Sequence, residues 1–366
     1  MSKINVALEK NSYDIFFDQD IDLTKYLSDY KDKKICLVSD SNVYKIYGDQ
    51  ILEKLMHIST KVYQHNFPAG EKNKTMKQVM KLVSLCLENQ WNRDDLILIL
   101  GGGVAGDMGA FAASIILRGV ACIHIPTSLL AQVDSSIGGK TAVNHNRGKN
   151  LVGTFYQPKK VIISSSFLNT LNKREIQTGF AEVIKYGIIH SEVLFDFLVE
   201  WFAKNNIEDY KSFPVSFWQD LVWSCAGIKA EVVSKDEKES SLRMILNYGH
   251  TFGHAIENLT SYKKYTHGEA VAIGMDIAAF LAWKQGICKE SVYVQQKMLI
   301  QKLGLVVGIS HNIKTQSIMS TMRLDKKVKN GKLRLILPES IGKVRIDNSI
   351  SEEKIVNLLM EYRNES

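Results

Sequence analysis

Apolar residues follow two different rhythms along the chain. In the first half, short unbroken apolar runs alternate with stretches whose apolar positions recur every three or four residues. Residues 34–39 (Lys-Ile-Cys-Leu-Val-Ser) form one such run, ending at Asp40, and 60–67 read as a second strand. A helical pattern follows over 74–90. Residues 95–100 (Asp-Leu-Ile-Leu-Ile-Leu) are the clearest strand and lead directly into Gly101-Gly-Gly. A helix from about 106 to 117 and a strand over 121–126 come next. Unbroken apolar runs suit strands covered on both faces, and their alternation with helices predicts a Rossmann-like α/β layer with a mostly parallel sheet.

From about residue 172 the rhythm becomes helical, through 176–189, 194–202, 217–233, 244–259 and 269–285. Strand character is nearly absent until 332–338. The change predicts an α/β domain over 1–170 and a mainly α-helical domain over 171–366, with a ligand site in the cleft between them. No internal repeat interrupts either half.

Composition narrows the classes. The formal net charge of +7 over 366 residues comes without any lysine or arginine block, so it points to a small anionic substrate rather than nucleic acid. The apolar stretch 96–117 is broken by three glycines and Asp107, which argues against a membrane helix. The first residues show no signal-peptide pattern. Five scattered cysteines without a Cys-x-x-Cys read as reduced core thiols, and together these features predict a cytoplasmic protein.

The candidate chemistry concentrates in a few segments. In 243–257 (Arg-Met-Ile-Leu-Asn-Tyr-Gly-His-Thr-Phe-Gly-His-Ala-Ile-Glu), His250 and His254 stand four apart on one helical face, and His267 follows. A zinc site would pair these two histidines with one ligand from Glu182, Glu257 or His267; two histidines satisfied within a core is the alternative. Gly101–Gly103 at a strand-to-helix junction suits a phosphate against a helix N-terminus, or is only a tight turn. Asp40, at a strand end, could meet a ribose hydroxyl or simply begin a turn. In 126–144, Asp134 and Lys140 lie among serines, glycines and regular apolar positions, with Lys149 and Asn150 soon after, a composition that suits an anionic group. Glu182 and Lys185 are helical neighbours and read equally as a surface ion pair or a buried one. Lys229 lies inside an apolar helical run, unlike the solvated charges that follow it.

Taken together, these segments resemble the dehydroquinate synthases of the shikimate pathway, within the sugar-phosphate cyclases. The resemblance covers about 35–345 and is carried by 101–107, 126–144, 148–158, 181–187, 243–257, 267–275 and Asp325-Lys-Lys. It implies NAD on the α/β domain and a divalent metal, zinc foremost with cobalt as an alternative, on the helical one. The implied metal ligands are Glu182, His250 and His267, which leaves His254 as an acid/base. Implied NAD contacts are Asp40, Asn42, Glu71, Lys74, Gly103, Val104, Asp107, Thr127 and Ser128, with Lys140 and Lys149 also at the nucleotide. Lys140, Asn150, Asn247 and Lys326 or Lys327 would surround the substrate phosphate, and Arg118 would reach a partner's site in a homodimer. Lys229 and Arg243 would hold the carboxylate. Asp134, Lys149, Lys185 and Glu239 match further polar active-site positions.

Departures are few: Ser128 for threonine, Ala142 for glycine, Asn172 for proline, and serines at 164–166 where an aspartate is common. The implied reaction takes 3-deoxy-D-arabino-heptulosonate 7-phosphate to 3-dehydroquinate and phosphate. It runs through transient oxidation, phosphate elimination, re-reduction and aldol closure. The alternatives are another sugar-phosphate cyclase or, further off, a metal-dependent polyol dehydrogenase.

Overall fold

The computed structural model describes residues 2–323 and 333–365. The chain divides into two compact units, Met1–Leu171 with Lys229–Lys238, and Asn172–Ile228 with Glu239–Ser366. The return of Lys229–Lys238 to the first unit has no counterpart in the apolar pattern, because the helix Val215–Lys235 that spans this point is continuous.

In the first unit, nine strands are described: β1 (Lys3–Val6), β2 (Tyr13–Phe17), β3 (Ile35–Asp40), β4 (Val62–Phe67), β5 (Leu96–Gly101), β6 (Ala121–Pro126), β7 (Lys140–His145), β8 (Gly148–Phe155) and β9 (Lys160–Ile163). Seven of them form one sheet in the order β1-β2-β9-β6-β5-β3-β4, parallel except for β1 against β2. The mostly parallel α/β sheet expected from the alternation is therefore present. β5 shows why its sequence is an unbroken apolar run. Ile97 and Ile99 point into a core with Val79, Leu82, Met108 and Phe111, while Leu96, Leu98 and Leu100 enter a second core with Ile51, Leu55 and Phe167. Each such side chain contributes about 1.5–3 kcal/mol by leaving water. The helices Met76–Glu88 and Gly103–Ile115 cover one face, and Asp49–Met56 lies on the other.

The chain leaves β3 for β4 on one side and returns to β5 on the other. The carboxyl ends of β3 and β5, at Asp40 and Gly101, thus flank a topological switch point, where open α/β sheets bind ligands. The helix expected from about 106 begins three residues earlier, at Gly103. The segment 126–144, whose composition suits an anionic group, contains a helical turn at Ala131–Ser135 and then β7, which pairs with β8 as a separate antiparallel hairpin.

In the second unit, the helices Lys173–Ile189 and His267–Lys284 are buried on nearly all sides, as helices apolar around their circumference must be. Asn172, where proline was expected from the resemblance, caps the first of these by accepting from the Glu175 amide at 3.0 Å. Thr266 and Glu269 form a reciprocal capping box on the second. The expected single helix over 244–259 is in fact two. A 3-10 segment, Leu242–Asn247, ends before Gly249, whose φ of +77° breaks the path, and His250–Leu259 starts anew. His250 therefore begins a helix rather than sitting within one. Glycines set the packing here. A Cβ on Gly274 would lie 1.9 Å from the Gly249 carbonyl oxygen, and one on Gly268 would lie 2.4 Å from that of Thr178. A short antiparallel pair, β10 (Leu335–Ser340) with β11 (Lys343–Asp347), and the helix Glu352–Glu365 complete the unit.

Candidate active site

The second unit gathers a compact set of metal-binding side chains. Glu182 lies midway along Lys173–Ile189, His250 opens one helix and His267 opens another. Their ligand atoms all lie within 4.8 Å of one another. Glu182 is fully buried. Its Oε2 accepts from the equally buried Lys185 Nζ, which settles that pair as an interior one rather than a surface one. Among the described residues its Oε1 has no hydrogen-bond partner, yet it lies 3.6 Å from His250 Nε2 and 3.7 Å from His267 Nε2. A buried carboxylate oxygen left unsatisfied is costly. Facing two imidazole nitrogens, it fits one divalent cation with a mixed nitrogen and oxygen shell. His254 stands beside this set, its ring centroid 5.4 Å from that of His250. It also falls in a second cluster, with Glu257 and His267.

Nearby on the chain, Arg243 is almost fully buried in the Leu242–Asn247 segment, and Asn247 Nδ2 donates to Glu239 Oε1 at 2.5 Å. The latter contact joins two of the predicted site residues.

The first unit brings together a second group. Lys74 is buried and donates to the Asp107 carboxylate and, at 2.5 Å, to Asn150 Oδ1. Burial, opposed by the Lys74 ammonium, leaves the Asp107 carboxyl above its ordinary range. Asn144, which closes the 126–144 segment but is not among its candidate site residues, ties the group to Glu71. Its side-chain amide donates to Glu71 Oε1 at 2.8 Å while its oxygen accepts from the Asn150 amide at 3.0 Å. Asn150, expected at a phosphate, is thus engaged with Lys74, an expected nucleotide residue. Asp134 anchors Lys229: the ammonium donates to the Asp134 carboxylate at 2.8 Å and to its carbonyl at 2.6 Å.

At the switch point, Asp40 Oδ1 accepts from the amides of Asn42 and Val43 and so caps the next turn. The turn reading of Asp40 therefore holds for one oxygen, while Oδ2 would lie 3.7 Å from a Cβ on Gly101. Added Cβ atoms on Gly102 and Gly103 would approach the hydroxyls of Ser128 and Ser135 to 3.2 and 3.1 Å, so the missing side chains leave a cradle at a helix N-terminus. Thr127 and Ser128 are buried beside it, and the Thr127 amide donates to the Gly101 carbonyl at 3.0 Å. Val104, expected at the nucleotide, packs against the sheet core. Lys140 and Asn42 are exposed, and Lys149 is half-buried on β8. Arg118 is also exposed, on left-handed backbone (φ +64°) that continues from Leu117 (φ +49°). Lys326 lies outside the described residues.

Two family profiles match the chain, "3-dehydroquinate synthase N-terminal" over 64–178 and "3-dehydroquinate synthase C-terminal" over 179–328. A 3-dehydroquinate synthase of Crocosphaera subtropica is 43% identical over 365 residues, covering 99% of both chains. That of Caldanaerobacter subterraneus is 43% identical over 364 residues, covering 98% of this chain and 100% of its own. Among solved structures, a 2-deoxy-scyllo-inosose synthase complexed with carbaglucose-6-phosphate, NAD+ and Co2+ superposes with a TM-score of 0.87 at 27% identity, covering 99% of this chain and 100% of its own. A 2-epi-5-epi-valiolone synthase of Streptomyces hygroscopicus with NAD+ and Zn2+ bound gives 0.87 at 26%, covering 98% and 99%. An iron-containing alcohol dehydrogenase shares the fold alone, with a TM-score of 0.67 at 16% identity over 97% of this chain and 98% of its own. Matched across both profiles and along its length by curated relatives, the chain belongs to the 3-dehydroquinate synthase family.

Proposed function

We propose that this protein is a phosphorus–oxygen lyase of the shikimate pathway, converting 3-deoxy-D-arabino-heptulosonate 7-phosphate to 3-dehydroquinate and phosphate. In a chain of this family, the observation that carries the reading is the buried Glu182 Oε1, without a hydrogen-bond partner among the described residues and faced by His250 and His267. The solved relatives hold NAD+ with Co2+ or Zn2+, and the same two cofactors suit the residues here.

A divalent cation on Glu182, His250 and His267 supplies Lewis acidity toward the substrate hydroxyls, and NAD supplies a reversible hydride acceptor. The chain's own groups do the rest. Lys185 engages one oxygen of Glu182 and leaves the other for the cation. His254, half-buried on the same helix as His250, takes and returns a hydroxyl proton at a ring nitrogen. In the second unit, the buried Arg243 binds a carboxylate, and Glu239 orients the Asn247 amide toward phosphate. In the first, Asp134 holds the Lys229 ammonium in one place, so its charge is spent on substrate rather than on finding a rotamer. Lys140 and Lys149 on the β7–β8 hairpin, with Lys326 or Lys327, complete the cationic provision for the substrate's anionic groups. Asp40, Asn42, Glu71, Lys74, Asp107, Thr127, Ser128 and the Gly103–Val104 turn serve the nucleotide.

Cofactor binding is assigned to 1–170, and metal binding to 171–366. The exposed Arg118, on unusual backbone, suits a residue that completes the site of a second copy, so the working form is a homodimer. Five buried cysteine thiols suit the reducing cytoplasm.

The test offers the metal- and NAD-loaded protein three substrates: the heptulosonate phosphate, a heptulose phosphate without a carboxylate, and a hexose phosphate. Phosphate release with the first alone, and dehydroquinate as its product, is the expected result. Preference for either sugar phosphate without a carboxylate would move the protein to another branch of the cyclases.

A further inference from the structure

We propose that Glu257 is a positioning residue of the metal centre, fixing the tautomer and ring direction of His267 so that His267 presents Nε2 toward Glu182. The proposal rests on the reading that Glu182, His250 and His267 hold a divalent cation.

A neutral imidazole has one N–H and one lone pair, and a metal takes the lone pair. Which nitrogen remains available is decided by the partner of the other. For His250 that partner is backbone. Its Nδ1 lies 3.0 Å from the Tyr248 carbonyl oxygen, which only accepts, so Nδ1 carries the proton and Nε2 is left for the cation. Tyr248 is itself held in place. It is fully buried and donates to Gln296 Oε1 at 2.6 Å, while Gln296 Nε2 donates to the Met275 carbonyl at 3.0 Å.

His267 has the same division of roles with a different acceptor. Its Nδ1 lies 3.4 Å from Glu257 Oε2, and its Nε2 lies 3.7 Å from Glu182 Oε1. The need for a partner is greater here, because the His267 side chain is 31% exposed against 11% for His250. A ring in the first turn of its helix, with that much solvent around it, can turn over unless something holds it. Glu257 is suited to do so: it is only 2% exposed, and it lies one turn beyond His254 and two beyond His250. A carboxylate also attracts the Nδ1 proton more strongly than a carbonyl, which makes Nε2 the better donor to a metal.

The spacing of the sequence placed Glu257 among possible ligands, and the cluster of His254, Glu257 and His267 could itself hold an ion. An ion there that used His267 Nδ1 would displace its contact with Glu257, so the two roles can be separated by experiment.

The measurement is Co2+ affinity of the full-length protein, by competition with a chromogenic chelator, together with the visible cobalt spectrum. Wild type is compared with Glu257→Gln, Glu257→Ala and His250→Ala. The expected result is one tight ion in wild type and affinity lower by about 10–100-fold in the Glu257 variants, with an altered cobalt spectrum. Glu257→Gln is isosteric, and unchanged metal-free melting would show that its fold is intact. Wild-type affinity and spectrum in both Glu257 variants, with His250→Ala weakened, would overturn the positioning role alone. Two ions in wild type, of which only the weaker is lost on changing Glu257, would make it a ligand and also overturn the role. Equal weak binding by wild type and His250→Ala would overturn the metal reading beneath it.

Discussion

An ion pair in a protein interior stabilises only while both members are present, and Glu182 with Lys185 is such a pair at 0% and 1% exposure. Lys185→Met would leave the carboxylate buried without its cation. We expect a loss of about 3–5 kcal/mol in urea unfolding of the metal-free protein, and a loss under about 1 kcal/mol would contradict the assignment. A different buried acid governs pH. Burial pushes the Asp276 carboxyl up to about 6, opposed by the hydrogen bond it accepts from Tyr362. An unfolded aspartate titrates near 3.9, so the folded state holds this proton more tightly. Its contribution is full below about pH 4 and is lost as pH rises through about 6, a change of about 3 kcal/mol. Asp276→Asn should remove that fall, and unfolding curves from pH 4 to 8 that stay parallel to wild type would refute the argument. Residue identity alone could not supply these readings. Glu182 and Lys185, three apart on a helix, look the same in sequence whether the face is wet or buried, and only the packing around Phe180, Ala181 and Val183 decides it.

Elements were more legible than residues where one force dominated. β5 was evident because burial on both faces demands an unbroken apolar run, and the helices Lys173–Ile189, Glu192–Lys204, Val215–Lys235 and His267–Lys284 followed from their spacing, whereas Glu290–Lys302, Thr315–Arg323 and Glu352–Glu365 were not singled out. The exception at 244–259 has a local cause: apolar spacing continues across Gly249, but its left-handed backbone does not. β8 was missed because most of its positions are exposed and no alternation marks it. The glycine contacts give a sharp prediction. In Gly274→Ala the new methyl would meet the Gly249 carbonyl at 1.9 Å, so the two helices must separate. Expected are a loss of at least about 2–3 kcal/mol in denaturant unfolding and weaker metal binding, since His250 and His267 open the helices involved. A melting temperature within a degree of wild type would contradict this. At the other site, Gly103→Val should raise the NAD dissociation constant about tenfold or more, equivalent to about 1.4 kcal/mol. Calorimetric titration showing unchanged affinity would remove the glycine cradle from the account.

At the scale of the whole molecule, the net charge of +7 suits an anionic substrate, but the identity of that substrate came from long motifs and not from charge. The proposed homodimer has its own test. If Arg118 serves a second copy, inactive Arg118→Ala and Glu182→Gln chains refolded together should regain activity at about a quarter of the sites, because each mixed dimer restores one of its two. Activity no higher than that of the separate variants would place Arg118 in its own chain's site, or in none. The most direct test of the central claim is phosphate release from the heptulosonate phosphate by chelator-stripped protein, before and after metal and NAD are restored, with NADH absorbance followed in parallel. Transient use of the cofactor predicts release only when both are present, dehydroquinate as product and no build-up of NADH. Stoichiometric NADH without phosphate release would contradict it and make the protein a dehydrogenase on a shared fold.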